Sequence, residues 1–302
     1  MALSIFTSGA AMSSTNALNK SNSILSTAME RLGTGKRINS AADDAAGLQI
    51  ATRLQGQVNG MSVAQRNISD ATAMLQTGEG AFEEVTNIMY RMKDLATQAA
   101  NDTNNTNDRD AMQAEFSALT SELNNIWDNT DFAGTKLFGD EGLGKTAGLN
   151  FQIGTSSKET INTSGMASAI SDLGKIITGS GLAGVPGASG VPATPAISGL
   201  GQLTLATSSA SAASVITALE NTINSVAGVR SGMGAMINRL GHTAANLSNM
   251  QDNTTLALGN IRDADFASEA TNMTRNQMLA QTSMSMLKQA NSMSGMVMSL
   301  LG

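Results

Sequence analysis

Residues 61–99 read MSVAQRNISDATAMLQTGEGAFEEVTNIMYRMKDLATQA and carry an unbroken seven-residue repeat. Non-polar residues, counting one glycine, recur at alternating spacings of three and four: Met61, Ala64, Ile68, Ala71, Leu75, Gly78, Phe82, Val85, Met89, Met92, Ala96 and Ala99. This spacing predicts a long helix with one face packed on another helix, as in a left-handed coiled coil or a helix bundle. At 1.5 Å per residue, the helix would be about 58 Å long.

A second stripe with the same alternation runs through the C-terminal part of the chain. Its members are Ala212, Val215, Leu219, Thr222, Val226, Val229, Met233, Met236, Leu240, Thr243, Leu247, Met250, Thr254, Ala257, Ile261 and Ala264. Two long stripes near opposite ends of one chain are most simply satisfied by packing on each other, antiparallel or nearly so. The alternative is that each stripe dimerises separately.

Between the two stripes the sequence predicts shorter secondary-structure elements. A helix is expected over Arg109–Trp127, with Asp108 as its N-cap, which gives a bundle of three helices. Short strands with Gly-bearing turns are expected within 132–162, as a small β-hairpin region. Residues 165–205 contain all three prolines and few charges, and are predicted to form a variable, surface-exposed segment, either a loop or a very small extra module.

The two ends of the chain carry further apolar stripes. Leu18, Leu25 and Leu32 lie seven residues apart near the N-terminus, and the C-terminal stripe comprises Leu279, Met286, Ala290, Met293, Val297 and Leu300. Flexible, Met-rich stripes are typical of surfaces that repack against several partners. Isolated helices of this kind are marginal in water, so we expect the ends to become ordered only in an assembly. A simple four- to five-helix globular bundle is the alternative.

Composition excludes several classes of function. The net charge of −6 argues against a nucleic-acid partner, which requires clustered Lys and Arg. The chain has no cysteine and a single histidine, His242, which is expected at a solvated helix position. No HExxH, CxxC, GxGxxG or GxxxxGK[ST] motif occurs, so no catalytic, metal or cofactor site is predicted. The N-terminal residues do not read as a Sec-type signal peptide, and no apolar run predicts a membrane span.

Several motifs resemble those of the bacterial flagellins. Residues 30–48, ERLGTGKRINSAADDAAGL, resemble the ERLSSGxRINSAxDDAAG signature of that family, and QTGEGA at 76–81 continues the match. Near the other end, IRDADFASE at 261–269, QAN at 289–291 and SLL at 299–301 resemble its C-terminal block. The resemblance covers about residues 1–165 and 206–302.

The resemblance implies a structural subunit and not an enzyme. Flagellins are exported through the flagellar type III channel and polymerise with copies of themselves into an extracellular filament that serves motility. Its implied partners are therefore other copies of the chain, an export chaperone, the filament cap and the hook-junction proteins. A host Toll-like receptor is a further implied partner, and the family's recognised surface matches here at Arg91, Leu95 and Glu115. Arg91 and Leu95 lie off the seam formed by residues 89, 92 and 96, so their side chains are expected to be open to solvent. A hook–filament junction protein is the alternative within the same structural class.

These observations predict a mainly α fold: a long antiparallel coiled-coil-like helical bundle rod with a small β-hairpin region and a short variable central segment. The expected divisions are residues 1–44 and 263–302, forming the inner tube helices; 45–164 and 206–262, forming the rod bundle; and 165–205, the variable segment. Subunit contacts are expected from the terminal stripes, at Leu18, Leu25, Leu32, Leu279, Met286, Met293, Val297 and Leu300. Asp43 and Asp44 precede the long helix and are expected to cap it or to make a loop contact between subunits.

Overall fold

The computed structural model describes residues 9–139, 141–179, 199–205 and 208–301. Within them the chain is mainly α-helical, as predicted, with the helices α1 (Gly9–Thr34), α2 (Ala45–Ala99), α3 (Thr106–Asn129), α4 (Ser164–Ile177), α5 (Ser209–Arg262) and α6 (Phe266–Leu301). The chain divides into two compact units. We call residues 60–249 the central unit, and residues 1–59 with 250–302 the terminal unit.

The seven-residue stripe of α2 is the core of the central unit. All twelve of its predicted positions are buried, including Leu75, Phe82 and Met89, which are completely inaccessible to solvent. One of these positions is Gly78, where neighbouring side chains leave little room for a side chain. A Cβ atom at this residue would lie 3.2 Å from Met233 Cε and 3.3 Å from Leu137 Cδ2. The predicted packing face of 61–99 is confirmed.

Helix α5 packs against α2 in the opposite direction. Gly78 lies beside Met233, and the ammonium group of Lys93 lies 2.9 Å from the carboxylate of Glu220. Since the partner positions on α5 decrease as those on α2 increase, the two helices are antiparallel. This confirms pairing within one chain. The single histidine, His242, is exposed on α5, as expected.

The predicted stripe of 212–264 holds at every position up to Leu247 and only in part beyond it, where Thr254, Ile261 and Ala264 are half-buried. Beyond it Met250 and Ala257 are exposed, whereas Leu258 is buried and Gln251 is half-buried. At these two positions the more buried residue is therefore the one that follows the predicted residue. A strict seven-residue repeat drifts by about 20° per heptad around a straight helix, so a pattern extended over 53 residues need not keep to one face.

Helix α3 begins earlier than predicted and has a different cap. Asn105 is the N-cap, and its side chain accepts a hydrogen bond from the Asp108 backbone amide at 2.9 Å. Asp108, predicted to be the cap, is instead the third residue of the helix. Its carboxylate accepts a bond from the Asn105 amide at 3.1 Å, which completes a capping box.

An aromatic cluster joins α3 to the core of the central unit. The rings of Trp127 and Phe138 are stacked with centroids 4.8 Å apart, and Phe82 of α2 lies 4.8 Å from Phe138 and 6.2 Å from Trp127. Gly174 of α4 lies against the indole, because a Cβ atom there would approach Trp127 Cζ2 to 2.8 Å. A side chain at residue 174 would therefore displace the indole ring.

The predicted hairpin region consists of two separate antiparallel pairs. Strand β1 (Asp131–Phe132) pairs with β2 (Thr135–Lys136), and β3 (Asn150–Gln152) pairs with β4 (Thr160–Asn162). Ala133 and Gly134 form the tight turn of the first pair, with φ values of 51° and 82°. Two consecutive positive φ values are typical of a type I′ hairpin turn. The strands are shorter than the predicted runs, but the hairpin region is confirmed.

The segment 165–205 differs from the expectation where the structure describes it. Residues 164–177 form α4, an amphipathic helix that buries Met166, Ala167, Ile170, Leu173, Gly174, Ile176 and Ile177. Leu200, in a short 3-10 helix, and Leu205 are fully buried as well. The prediction of a surface-exposed segment is therefore wrong for these parts. The apolar residues of α4 recur at helical spacing, a signal that the average composition of 165–205 does not show. The prolines lie outside the described residues.

The aromatic cluster makes a stability test possible. Replacing Phe82→Ala removes a ring that is fully buried, so we expect the free energy of unfolding to fall by about 3–5 kcal/mol. Urea unfolding of the monomer, followed through the fluorescence of the single tryptophan, measures the change. Tyr90→Ala, an exposed aromatic on the same helix, is the control and should alter stability by no more than about 0.5 kcal/mol. Equal effects of the two replacements would contradict the assigned core.

Candidate assembly surface

The terminal unit is built on an antiparallel pair of helices, α1 and α6. The end of α1 lies near the start of α6, since Arg31 Nη1 is 3.8 Å from Glu269 Oε1. The backbone amide of Ala264, just before α6, donates to the carbonyl of Gly35 at 3.0 Å. The two helices are in extensive contact with each other.

The contact between these helices is made by small and polar residues as well as leucines. The least exposed positions of α1 follow a three–four alternation: Ala11, Ser14, Leu18, Ser21, Leu25, Ala28 and Leu32. Those of α6 are Met273, Asn276, Ala280, Ser283, Leu287 and Ala290. Of the predicted contact residues, Leu18, Leu25 and Leu32 thus lie half-buried on the face of α1 that packs within the chain. A seam of this composition buries little apolar area.

The predicted residues of α6 lie elsewhere on their helix. Leu279, Met286 and Met293 are exposed, with exposed fractions of 47%, 60% and 59%. They therefore do not share the seam of Ala280, Ser283 and Leu287. Val297 and Leu300, the remaining members of the predicted stripe, have side chains outside the described part of the chain.

Exposed apolar side chains are concentrated in the terminal unit. Its large exposed hydrophobic residues are Met12, Ile24, Met29, Ile50, Met250, Leu256, Phe266, Met278, Leu279, Met284, Met286 and Met293. The described part of the central unit adds only Val63 and Tyr90. Scattered exposed hydrophobic residues are ordinary, but a concentration of this kind marks a surface for protein association.

A short backbone pairing fixes the chain where α1 and α5 end. Lys36 forms an antiparallel bridge with Asp263, and the Arg37 amide donates to the Arg262 carbonyl at 2.6 Å. The Arg37 guanidinium also donates to the carbonyl of Ile261 at 2.7 Å, near the C-terminal end of α5. A cation at this position donates a hydrogen bond to a carbonyl near the helix end, and it is stabilised by the negative end of the helix dipole. The sequence gives no local signal for this contact, because its partners are 224 residues apart.

Asp43 and Asp44 have different roles in the loop before α2. Asp44 Oδ1 accepts a hydrogen bond from the Gly47 amide at 2.8 Å, which is the predicted capping role. Asp43 instead holds the preceding turn. Its Oδ2 atom accepts bonds from the Asn39 amide at 3.1 Å and from the Ser40 amide and hydroxyl at 2.9 Å and 3.1 Å.

The same arrangement recurs at the start of α6, where the sequence analysis did not single out a functional residue. Asp265 Oδ1 accepts a bond from the Ala267 amide at 2.9 Å, and the Ser268 hydroxyl donates to Asp265 Oδ2 at 2.8 Å. An aspartate immediately before a helical run is a sequence signal for an N-cap.

Hydrogen bonds lower the pKa of both aspartates below the ordinary value of 3.8. For Asp43 the main cause is the Ser40 amide, followed by the Asn39 amide, the Ser40 hydroxyl and the charge of Arg31. For Asp265 the main cause is the Ser268 hydroxyl, followed by the amides of Ala267 and Ser268. Because these donors favour the ionised carboxylates, they contribute stability above about pH 3.8 that is lost as the pH falls through the lower folded-state pKa.

The three residues of the predicted receptor surface differ in solvent exposure. Arg91 of α2 and Glu115 of α3 are exposed and form an ion pair, with Arg91 Nη2 and Nε lying 2.6 Å and 2.9 Å from Glu115 Oε1. Leu95, which the heptad analysis placed off the seam and open to solvent, is only 3% exposed. That expectation is wrong, because both Leu95 and its neighbour Ala96 are buried and the packed face of α2 is wider than one residue here.

Among the described residues, no helix is long and apolar enough to cross a membrane. No group of His, Cys, Asp and Glu side chains within the same residues is arranged to hold a metal ion. The features that distinguish the terminal unit are therefore its paired helices and its exposed apolar side chains.

Comparisons with known proteins agree with this description. The family profile for the bacterial flagellin N-terminal helical region matches residues 5–142, and that for the C-terminal helical region matches residues 216–301. A flagellin of Bacillus subtilis is 35% identical over 301 residues, covering 97% of each chain. Flagellin A of Vibrio anguillarum is 32% identical, with all of both chains covered.

A solved structure shares the fold at low sequence identity. The structure of a putative flagellar hook-associated protein from Vibrio parahaemolyticus matches with a TM-score of 0.52 and 15% identity, covering 73% of this chain and 100% of that one. This likeness concerns the fold alone, whereas the similarity to flagellins extends over their full length.

Long paired helices, a unit that exposes its apolar side chains and the two matched terminal regions define a subunit of a self-assembling filament. More specifically, the chain belongs to the bacterial flagellin family. It is a structural protein and not an enzyme, and its polymer is the extracellular flagellar filament that serves motility. The hook-associated alternative has less support, since it rests on a fold likeness.

The lowered pKa values lead to a test of the junction loops. We expect the unfolding temperature of the monomer to fall as the pH is lowered from 5 to 2, and Asp43→Asn and Asp265→Asn each to reduce part of that dependence. Both variants should also be less stable than the wild type at pH 7, because the ionised acceptor is lost. Asp252→Asn, at an exposed position on α5 where the carboxylate makes no hydrogen bond to any described residue, controls for the loss of one negative charge. An unchanged pH profile in both loop variants would refute their role.

Proposed function

We propose that the exposed apolar face of α6 is a principal contact between subunits in the filament. The observation that carries this proposal is the exposure of Leu279, Met286 and Met293 on a helix whose other face already packs on α1. Polymer growth through such a face requires head-to-tail contacts that do not close, so that the patch of one subunit meets a different patch of the next. Val297 and Leu300 extend the same stripe by sequence.

Leu18, Leu25 and Leu32 take a supporting role in this proposal. They are half-buried within the α1–α6 seam, so each offers part of its surface to a neighbouring subunit while packing inside its own chain. Because the seam is rich in small side chains, contacts with neighbours supply apolar burial that the isolated pair lacks. We therefore infer that assembly stabilises the helix pair as well as joining subunits.

For Asp43 and Asp44 we propose a role within the chain. Both carboxylates accept hydrogen bonds from their own loop or helix, and these bonds account for their position before α2. Direct contact with another subunit is not needed to explain them. Their proposed contribution to the filament is indirect, since they fix the loop that joins α1 to α2.

Membership of the family supports further partners as proposals. We propose export through the flagellar type III channel, with a chaperone that covers the C-terminal apolar residues before export. The filament cap and the hook-junction proteins are the proposed partners at the two ends of the polymer. A chaperone is physically reasonable because an uncovered Met-rich face promotes association before the subunit reaches its destination.

A host Toll-like receptor is the remaining proposed partner, with Arg91 and Glu115 in its contact surface. The two side chains are exposed and hold each other in a defined geometry on neighbouring helices. Because the Arg91 guanidinium is already oriented, it is a preorganised hydrogen-bond donor for an acceptor group on a partner protein. Leu95 is buried, so this proposal assigns it no direct contact with the receptor.

Charge substitution on α6 tests the subunit contact. Leu279→Glu and Met286→Glu should each raise the critical concentration for polymerisation by about 30-fold or more, because an unpaired charge at a buried contact costs at least about 2 kcal/mol. Sedimentation and electron microscopy of the purified protein measure the effect. Gln281→Glu places the same charge at an exposed polar position of α6 and should have a smaller effect.

The same variants can be examined in cells. Expressed in a bacterium that lacks its own flagellin, the wild-type chain should restore filaments of uniform width and swimming, and Leu279→Glu should not. A wild-type chain that occupies only the hook junction without forming a filament would favour the hook-associated alternative. Normal polymerisation of both glutamate variants would refute the proposed contact.

The receptor proposal has its own test. Arg91→Ala and Glu115→Ala should each reduce activation of the Toll-like receptor in reporter cells by about tenfold, as expected for loss of one oriented charged contact. Lys93→Ala removes a neighbouring cation, which pairs with Glu220, and serves as the control. Thermal unfolding of each variant separates loss of contact from loss of fold. Undiminished activation by both variants would exclude this surface.

A further inference from the structure

The exposure of the methionine side chains differs between the two units. The described methionines of the central unit are Met61, Met74, Met89, Met92, Met112, Met166, Met233 and Met236, and every one is buried or half-buried. Those of the terminal unit are Met12, Met29, Met250, Met273, Met278, Met284, Met286 and Met293. All of these except Met273, which is half-buried, are exposed. The thioethers open to solvent therefore lie where assembly is expected and not in the core.

Four of the exposed methionines belong to α6. Met278, Met284, Met286 and Met293 have exposed fractions between 47% and 60%, and Met286 and Met293 lie on the proposed subunit contact. A peroxide can reach sulfur atoms with this exposure, whereas the packed core of the central unit shields Met89, Met92 and Met233, which are fully buried. The fold thus makes one set of thioethers reactive and protects the other.

We propose that the α6 methionines are a reversible oxidation site that controls entry of the free subunit into the filament. Each thioether transfers an electron pair to a peroxide oxygen, so that hydrogen peroxide and methionine give methionine sulfoxide and water. The product is polar and carries a strong hydrogen-bond acceptor in place of an apolar side chain. Burying that acceptor without a donor opposes the subunit contact.

The proposal rests on the assembly surface of the preceding section and adds a chemical control to it. Oxidation acts on the subunit before incorporation, while the α6 side chains are exposed. Once the contact has formed, the same burial that stabilises the polymer shields the sulfur atoms. The modification is reversible because methionine sulfoxide reductases return both sulfoxide epimers to the thioether. Leucine at these positions would give a similar apolar surface without this chemistry.

The experiment uses the full-length chain as monomer and as filament, each treated with dilute hydrogen peroxide. Peptide mass mapping should find added oxygen on the α6 methionines of the monomer, with at least about tenfold slower oxidation of Met89, Met92 and Met233. In filaments the α6 sites should be protected. The oxidised monomer should polymerise with a critical concentration raised by about tenfold or more. Treatment with both classes of methionine sulfoxide reductase should restore assembly.

A matched pair of variants identifies the sulfur atoms responsible. In the first, the methionines of 273–298 are replaced by leucine: Met273→Leu, Met278→Leu, Met284→Leu, Met286→Leu, Met293→Leu, Met296→Leu and Met298→Leu. It should assemble after peroxide treatment as well as before. The control carries Met89→Leu and Met92→Leu and should remain as sensitive to peroxide as the wild type. If the first variant does not assemble at all, reductase rescue of the wild type decides the question.

Three results would overturn the proposal. These are equal oxidation of core and α6 methionines in the monomer, normal assembly of subunits whose α6 methionines are all oxidised, and undiminished peroxide sensitivity of the leucine variant. The Leu279→Glu variant distinguishes failure of the oxidation proposal from failure of the proposed subunit contact. Its effect on assembly does not involve the oxidation of a sulfur atom. If Leu279→Glu blocks assembly and oxidation does not, the contact stands and the oxidation site is refuted. If neither blocks assembly, the contact itself is refuted.

Discussion

The antiparallel packing of α2 on α5 is the contact on which the central unit depends. It requires apolar side chains at every third or fourth position over ten turns of helix, and the twelve buried positions of 61–99 meet that requirement without a break. Close approach at Gly78 leaves room for Met233 and Leu137 on the same side. The hairpins, α3 and α4 then complete the cover of this seam, with Trp127 wedged between Phe138 and Gly174.

The terminal unit is organised by a weaker version of the same contact. Its α1–α6 seam keeps the alternation of three and four but places Ser21, Asn276 and Ser283 where the central unit has Leu75 or Phe82. Less apolar area is removed from water per turn, while large side chains remain on the outside. This distribution is consistent with the proposed subunit contact. Little apolar area is buried between α1 and α6, and the large apolar side chains remain exposed on the monomer.

The sequence predicted well wherever burial followed a regular period. The seam of 61–99 and its pairing with α5 were predicted because one repeat could be followed without interruption. Extrapolation failed at Met250, since helical drift moves the face, and at Leu95, since a packed face can be wider than its stripe. The link from Arg37 to Ile261 could not be predicted, because nothing local marks a contact between such distant residues. For α4, the prediction rested on the average composition of 165–205 and therefore missed an apolar face with helical spacing.

The contrast between Leu18 and Leu279 shows how far a stripe alone identifies an assembly contact. Both belong to apolar patterns with the same spacing, yet Leu18 is half-buried inside the α1–α6 pair and Leu279 is exposed. Spacing establishes that a face is apolar, but it does not say whether the covering partner comes from the same chain or another. Only the burial of the folded subunit separates the two cases. The proposed assignment of the exposed apolar residues of α6 to a subunit contact rests on this comparison and on the family to which the chain belongs.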